Sequence, residues 1–365
     1  MTDFSPAGHD RALATALQEL RAMHWTPARD LLDATGTDWH LRTFRIGVLA
    51  ATAQESTVVE NWLTEEPQSY NALALLAAVE VERAWQAARI QHPEAGQYYL
   101  RARSRCLAAT QRTRIDPTPW VSALALSPLD VHRRYPENCV PHADQQLVPH
   151  GPWDLLNSVR MLDRWNRAAF HHGAAFVRAI TSPEIDFISW AVSHRDLPVS
   201  SALHVLPLHA MLRQGAYQEA NPAWRTEWTN DTPQIATDRA YRWFLSQSDP
   251  RRTCQVEDLS YLALALWASH RFAEAREVFE VMERFASLAP WLAAAGGDEH
   301  RAHQLLKSAR SQSLKLGRRS PSARQSPQLK TSEGRTPEVQ GGRHAQPSGP
   351  SWSRLPRFRS GGSSS

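Results

Sequence analysis

Apolar residues between 258 and 283 fall at helical spacing. Leu259, Leu262 and Leu266 recur at i, i+3 and i+7, and after the polar break Ser269-His270-Arg271 the residues Phe272, Ala275, Phe279 and Met282 repeat the theme. The pattern predicts two short helices. Small residues (Ala263, Ala275) stand where these must cross closely, and large ones (Trp267, Phe272, Phe279) where a neighbouring pair must be met. A weaker copy occupies 10–34: aligned under Arg271 to Phe279, the run His24 to Leu32 sets Trp25 against Phe272, Ala28 against Ala275 and Leu32 against Phe279. Thr26-Pro27 reads as a capped helix start, a signal that returns at Thr118-Pro119 and Ser182-Pro183.

The same periodicity predicts helices over 38–54, 58–63, 69–89, 95–113, 153–165, 167–180, 183–194, 201–213 and 238–245. The helix opening at 69 is apolar nearly all round between Ala72 and Val79, which predicts central burial. Residues 221–232 read as a tryptophan-bearing loop, and 300–310 as a weak helix. Between 127 and 152 five prolines interrupt the pattern, and a connection of about 25 residues without periodicity is either a functional loop or a join between two blocks. The expected organisation is a helical-repeat block over 1–126, a proline-rich connection over 127–152, a second block over 153–295 and a basic low-complexity tail over 296–365. That tail is too poor in apolar residues to offset its ordering entropy and is expected to be disordered.

The pair over 258–283 resembles the tetratricopeptide repeat: Leu262, Ala263, Phe272, Ala275 and Phe279 fill its positions, with Trp267 following Leu266 and His270 where the family usually has glycine. Trp25, Ala28 and Leu32 follow part of the pattern, and Asp116-Pro117-Thr118-Pro119-Trp120 resembles the link between consecutive repeats. The chain also resembles tetratricopeptide-like proteins of high-GC actinobacteria, a family that carries no established activity. The resemblance implies an all-α solenoid of antiparallel helix pairs, about seven or eight of them, with a concave binding surface.

Composition narrows the class further. Apolar residues make up 42 % of the 365, and no run approaches the 18 or so needed to span a bilayer. The first residues lack a basic start followed by an apolar run, so no signal peptide is expected. Three scattered cysteines suit reduced thiols, and together these features predict a cytoplasmic protein. The formal charge of +4 is unevenly spread: from Lys307 onward lie 12 of the 41 Lys and Arg and 2 of the 37 Asp and Glu, which leaves 29 basic against 35 acidic residues before it. An acidic body argues against a folded nucleic-acid surface, which requires clustered cations. No membrane and no specific nucleic acid are therefore expected as partners.

Chemistry is sparsely signalled. Cys139, His142 and His150 begin like a zinc site but lack a fourth ligand. His204 and His209 are five apart, about 140° around a helix, and the adjacent His171 and His172 diverge, so neither pair shares a face. Nucleophile elbows, phosphate loops and dinucleotide turns are missing, and no metal, cofactor or catalytic residue is expected. Arg160, Arg164 and Arg167 stand at i, i+4 and i+7, with Arg178 on the following helix; guanidinium forks hold carboxylates, so this row is the candidate ligand groove. Asp163 lies within helical reach of Arg160 and Arg167 and competes for them. The leading expectation is a non-catalytic scaffold or adaptor for a protein or peptide. The alternatives are a hydrolase-type enzyme using histidines near 127–152, and a regulatory sensor domain.

Overall fold

The structure, a computed structural model, describes residues 2–141, 149–180, 184–216 and 224–317. These are all-α: no strand occurs among them, and two isolated bridges, Asp3 with Phe285 and Val140 with Gly151, are their β pairing. The first part comprises α1 (Arg11–Arg21), α2 (Thr26–Thr35), α3 (Trp39–Ala53), α4 (Val58–Glu65), α5 (Tyr70–Arg89), α6 (Ala95–Arg112) and α7 (Thr118–Leu126). The second comprises α8 (Trp153–Leu162), α9 (Arg167–Ile180), α10 (Ile185–Ser193), α11 (Leu206–Ala216), α12 (Trp224–Glu227), α13 (Asp231–Leu245), α14 (Pro250–Thr253), α15 (Val256–Ala268), α16 (Phe272–Met282), α17 (Ala289–Ala294) and α18 (Glu299–Leu316). In the proline-rich connection the chain makes two 3-10 turns, Ser127–Leu129 and Pro136–Asn138, while 142–148 lies outside the described residues.

Local chemistry sets the helix ends. Asp10, Asp38, Ser69 and Asp298 accept from the backbone N–H of Leu13, Leu41, Ala72 and Arg301, satisfying donors that the first turn leaves free. At the other end, Met23, Gln91 and His270 each take a left-handed φ, at 65°, 53° and 62°. Each donates to the carbonyl three residues back, and the residue after it donates to the one five back from itself, as His270 does to Trp267 and Arg271 to Leu266. This is the Schellman closure that usually calls for glycine. Met23 and His270 are the equivalent positions of the two aligned segments, and both segments share this backbone conformation with Gln91 at the end of α5.

Two helices are enclosed on every side: α5 from Asn71 to Val81 and α15 from Asp258 to Ala268. The repeat-signature residues are core: Ala28, Leu32, Leu262, Ala263 and Ala275 are inaccessible, with Trp267 and Phe279 nearly so. Trp25, Trp120 and Phe272 sit partly buried at the edges, Trp25 stacked on Trp62 with centroids 5.4 Å apart. Asp116, in the segment expected to link repeats, takes part in a buried ion pair. Arg42, 1 % exposed, donates to the Asp116 carboxylate (2.8 Å), the Asn71 side chain (2.6 Å) and the Leu32 carbonyl (3.3 Å), fastening α2, α3 and α5 to the start of α7.

Several expectations need correction. The helix predicted over 153–165 ends at Leu162, because Asp163 and Asn166 form a turn that caps α9. The stretch read as a loop over 221–232 contains α12, and α13 starts at Asp231, seven residues before the expected 238. The weak helix over 300–310 is α18, whose Ala302, Leu306 and Ala309 are buried against the core that α16 and α17 share, so the body continues past 296. Residues 318–365 of the predicted tail, and Ser182-Pro183, lie outside the described residues.

Neighbouring helices pack in sequence order over much of the body, but other contacts skip far along the chain. α3 meets both α7 and α9, and Asn166 donates to Thr43 at 3.3 Å. The first residues meet the last helices: Asp3 N–H donates to the Arg284 carbonyl (2.7 Å), Ala286 N–H donates to the Asp3 carbonyl (3.0 Å), and Phe4 packs edge-on against His303. Gly8 follows with φ of 54°, and a Cβ there would lie 2.6 Å from a Val256 methyl, so both conformation and space demand glycine. The two ends of the body thus close on one another.

Candidate functional site

The four arginines of the predicted groove do not form a row. Since α8 stops at Leu162, Arg160 alone belongs to it, Arg164 lies in the turn, and Arg167 opens α9. Arg160 lies over the Trp190 ring at 5.5 Å, and burial lowers its pKa. Arg164 pairs with Asp196 at the surface. Arg178 and Arg213 of α11 grip opposite oxygens of the buried Glu184 at 2.6 and 2.8 Å. Asp163, the expected competitor, instead accepts from Asn166 at 2.8 Å.

Arg167 belongs to a buried cluster that three helices assemble. Its Nε and Nη2 donate to the two oxygens of Asp258, in the first turn of α15, each at 2.7 Å, and Nη2 also reaches Glu257 at 3.2 Å. His209 of α11 contacts the same Asp258 carboxylate through Nε2 at 3.2 Å. The guanidinium and this hydrogen bond hold the Asp258 pKa down to about 2 against the cost of burial. An ionised carboxylate only accepts, so His209 donates from Nε2, and burial lowers its pKa. Tyr261 stacks on the His209 ring at 3.5 Å. His171, one turn after Arg167 on α9, packs edge-on to His209 at 4.6 Å, and its Nε2 is enclosed without a hydrogen-bond partner.

His171, His209 and Asp258 offer donor atoms within 4.8 Å of one another, the number an open metal site requires. The charge balance opposes that use. The Arg167 guanidinium already neutralises Asp258, and a divalent cation would be buried against a fixed positive charge, a costly arrangement. The residues fit a structural clasp better than a metal centre. Of the zinc-like trio in the connection, Cys139 donates to the Arg133 carbonyl at 3.2 Å, His150 is exposed, and His142 lies outside the described residues.

A site with room for a ligand lies where the ends of the body meet. A cleft of about 720 Å³ separates residues 6–12 and the start of α3 from residues 198–202, α13 and residues 251–256. Its size falls within the range of ligand pockets. Phe44, Trp165 and Trp243 give it an aromatic wall. Arg45 is committed to Asp10 (2.8 Å) and Thr35 (2.6 Å), and Arg251 to Glu283 (2.7 Å). Arg11 and Arg252, both exposed, have no ion pair among the described residues, and the enclosed His9 Nε2 has no partner. The cleft thus carries uncommitted positive charge beside apolar surface. Sequence reasoning missed it because its walls are up to 250 residues apart; the adjacent Arg251-Arg252 was the local trace.

Comparison with known proteins yields no matching family, no matching curated protein and no matching solved structure.

Proposed function

We propose that this chain is a non-catalytic adaptor that binds an extended peptide segment of another protein in the cleft between the first residues and α13–α15. The observation that carries the reading is the pair of uncommitted guanidiniums, Arg11 and Arg252, beside the aromatic wall of Phe44, Trp165 and Trp243. Arginine forks recognise carboxylates, so the segment presents a chain-terminal or side-chain carboxylate there, with an apolar side chain against the rings. The helix pairs are read as a tetratricopeptide-like solenoid whose concave side has closed into this cleft. The ligand arginines are therefore Arg11 and Arg252 rather than the row at 160–178. A cytoplasmic setting suits the three unpaired thiols, and no helix among the described residues is long and apolar enough to cross a membrane.

A library of peptides with free carboxylate ends, each matched by its amidated twin, tests this by fluorescence anisotropy on the full chain. Free-acid peptides with an aromatic or aliphatic last residue should bind at least about tenfold more tightly than their amides, and Arg11→Glu with Arg252→Glu should abolish the difference. Equal binding of acids and amides, or an unaltered preference in the double variant, overturns the proposal.

A further inference from the structure

A second cavity, of about 300 Å³, adjoins the cleft and shares His40, Phe44 and Gln255 with it. Its lining is mixed, with aliphatic surface from Val48 of α3, Val81 of α5 and Val121 of α7. Beside that aliphatic surface α5 brings Glu82, half-buried and with no ion pair or hydrogen bond among the described residues. The contrast with the same helix is sharp: two residues earlier, Glu80 is held by Arg83 at 2.9 Å and Arg101 at 2.7 Å.

The rest of the lining leaves this carboxylate uncompensated. Arg167 reaches the cavity, but its short bonds go to Asp258, and Glu257, also in the lining, receives the longer 3.2 Å contact. Arg167 is thus taken up by Glu257 and Asp258, and Arg89, two turns further along α5 and outside the lining, is the cation that acts on Glu82, without forming an ion pair with it. Burial lowers the pKa of His40 and takes that of His172 down to about 4, which disfavours a positive charge on either ring. Thr118, 2 % exposed, forms part of the wall, and its Oγ1 has no hydrogen-bond partner. Removing a carboxylate from water without an ion pair is costly, and burial raises the Glu82 pKa against the opposing pull of Arg89. A cation on an apolar stem relieves both deficits, because its charge meets Glu82 while its methylenes cover the aliphatic wall.

We propose that this cavity is a binding site for an organic cation, a primary ammonium carried on a short aliphatic chain, with Glu82 as its counter-ion and Thr118 Oγ1 as a hydrogen-bond acceptor. Lysine side chains and alkylamines belong to this class. The site is independent of the carboxylate recognition proposed for the larger cleft. Its position beside that cleft means that a peptide bearing a lysine near an acidic end can occupy both.

Calorimetric titration of the full chain with n-hexylamine, and separately with n-hexanol, tests the site at pH 7.5. Hexylamine should bind with a dissociation constant of about 1 mM or tighter, hexanol at least about tenfold more weakly, and Glu82→Gln should remove that preference. Arg11→Glu and Arg252→Glu should leave hexylamine affinity unchanged, which separates this outcome from failure of the peptide reading. Equal affinity for the alcohol and the amine, no detectable amine binding, or an unaltered preference in a folded Glu82→Gln chain overturns the proposal. Should that variant unfold, the comparison of amine with alcohol on the wild-type chain decides.

Discussion

The Arg167 guanidinium holds both oxygens of Asp258 at 2.7 Å, joining the first residue of α9 to the first turn of α15 across 91 positions of sequence. Removing one partner strands the other charge in the core. Arg167→Ala should cost about 3–5 kcal/mol, whereas Arg167→Met combined with Asp258→Leu should cost much less, because no charge is left to desolvate. Urea denaturation of the single and double variants checks this; equal losses would mean that the pair supports nothing beyond its packing volume.

Acid should weaken the body in two stages. Burial lowers the pKa of His40, His171 and His209, and that of His172 from 6.5 to about 4. A histidine depressed in this way binds fewer protons folded than unfolded. Its contribution is complete above 6.5 and is lost progressively as pH falls toward 4. For His172 the loss reaches on the order of 2–3 kcal/mol. Asp258, lowered from 3.8 to about 2, adds stability that persists above 3.8 and disappears as pH falls from there toward 2. Urea midpoints that stay flat between pH 7 and 4.5 would contradict the first stage.

His270 stands at a left-handed φ of 62° with its closing hydrogen bonds made. A residue with a Cβ loses roughly 1–2 kcal/mol in this conformation, while glycine loses roughly 0.5–1 kcal/mol through its freer unfolded chain. His270→Gly should therefore stabilise the protein by about 0.5 kcal/mol, and Met23→Gly by a similar amount. A lowered melting temperature in both would show that the side chains contribute more than the backbone strain removes.

Thiol reactivity should divide one against two. Cys106 is inaccessible and Cys254 nearly so, and burial pushes both thiols up to about 12. Cys139 is half-buried. Ellman's reagent at pH 8 should label one thiol of the native chain rapidly and all three after denaturation. Rapid native labelling of Cys106 would show that α6 opens away from α5.

Helix periodicity carried much of this fold, and residue chemistry shows where it stopped. The bounds of α9 were legible because apolar positions recur from Ala169 to Val177 and an asparagine precedes Arg167; the burial of α5 was legible because its opening is apolar on every face. The arginine row failed at Asp163-Arg164-Trp165-Asn166, where capping chemistry interrupts a spacing that looked continuous. The clasp was invisible because Arg167, His209 and Asp258 come from three helices. Its one local trace was a carboxylate opening a helix that is apolar from Tyr261 to Ala268. Neither cavity had a sequence motif, since each takes its walls from elements joined by long-range packing.

The hydrogen bonds between Asp3 and residues 284 and 286 also order events during synthesis. Once made, Asp3 waits without its final neighbours until some 280 further residues have emerged. A shortened product that ends before 284 lacks the seam that draws the cleft together, so premature termination yields helices without a binding mouth.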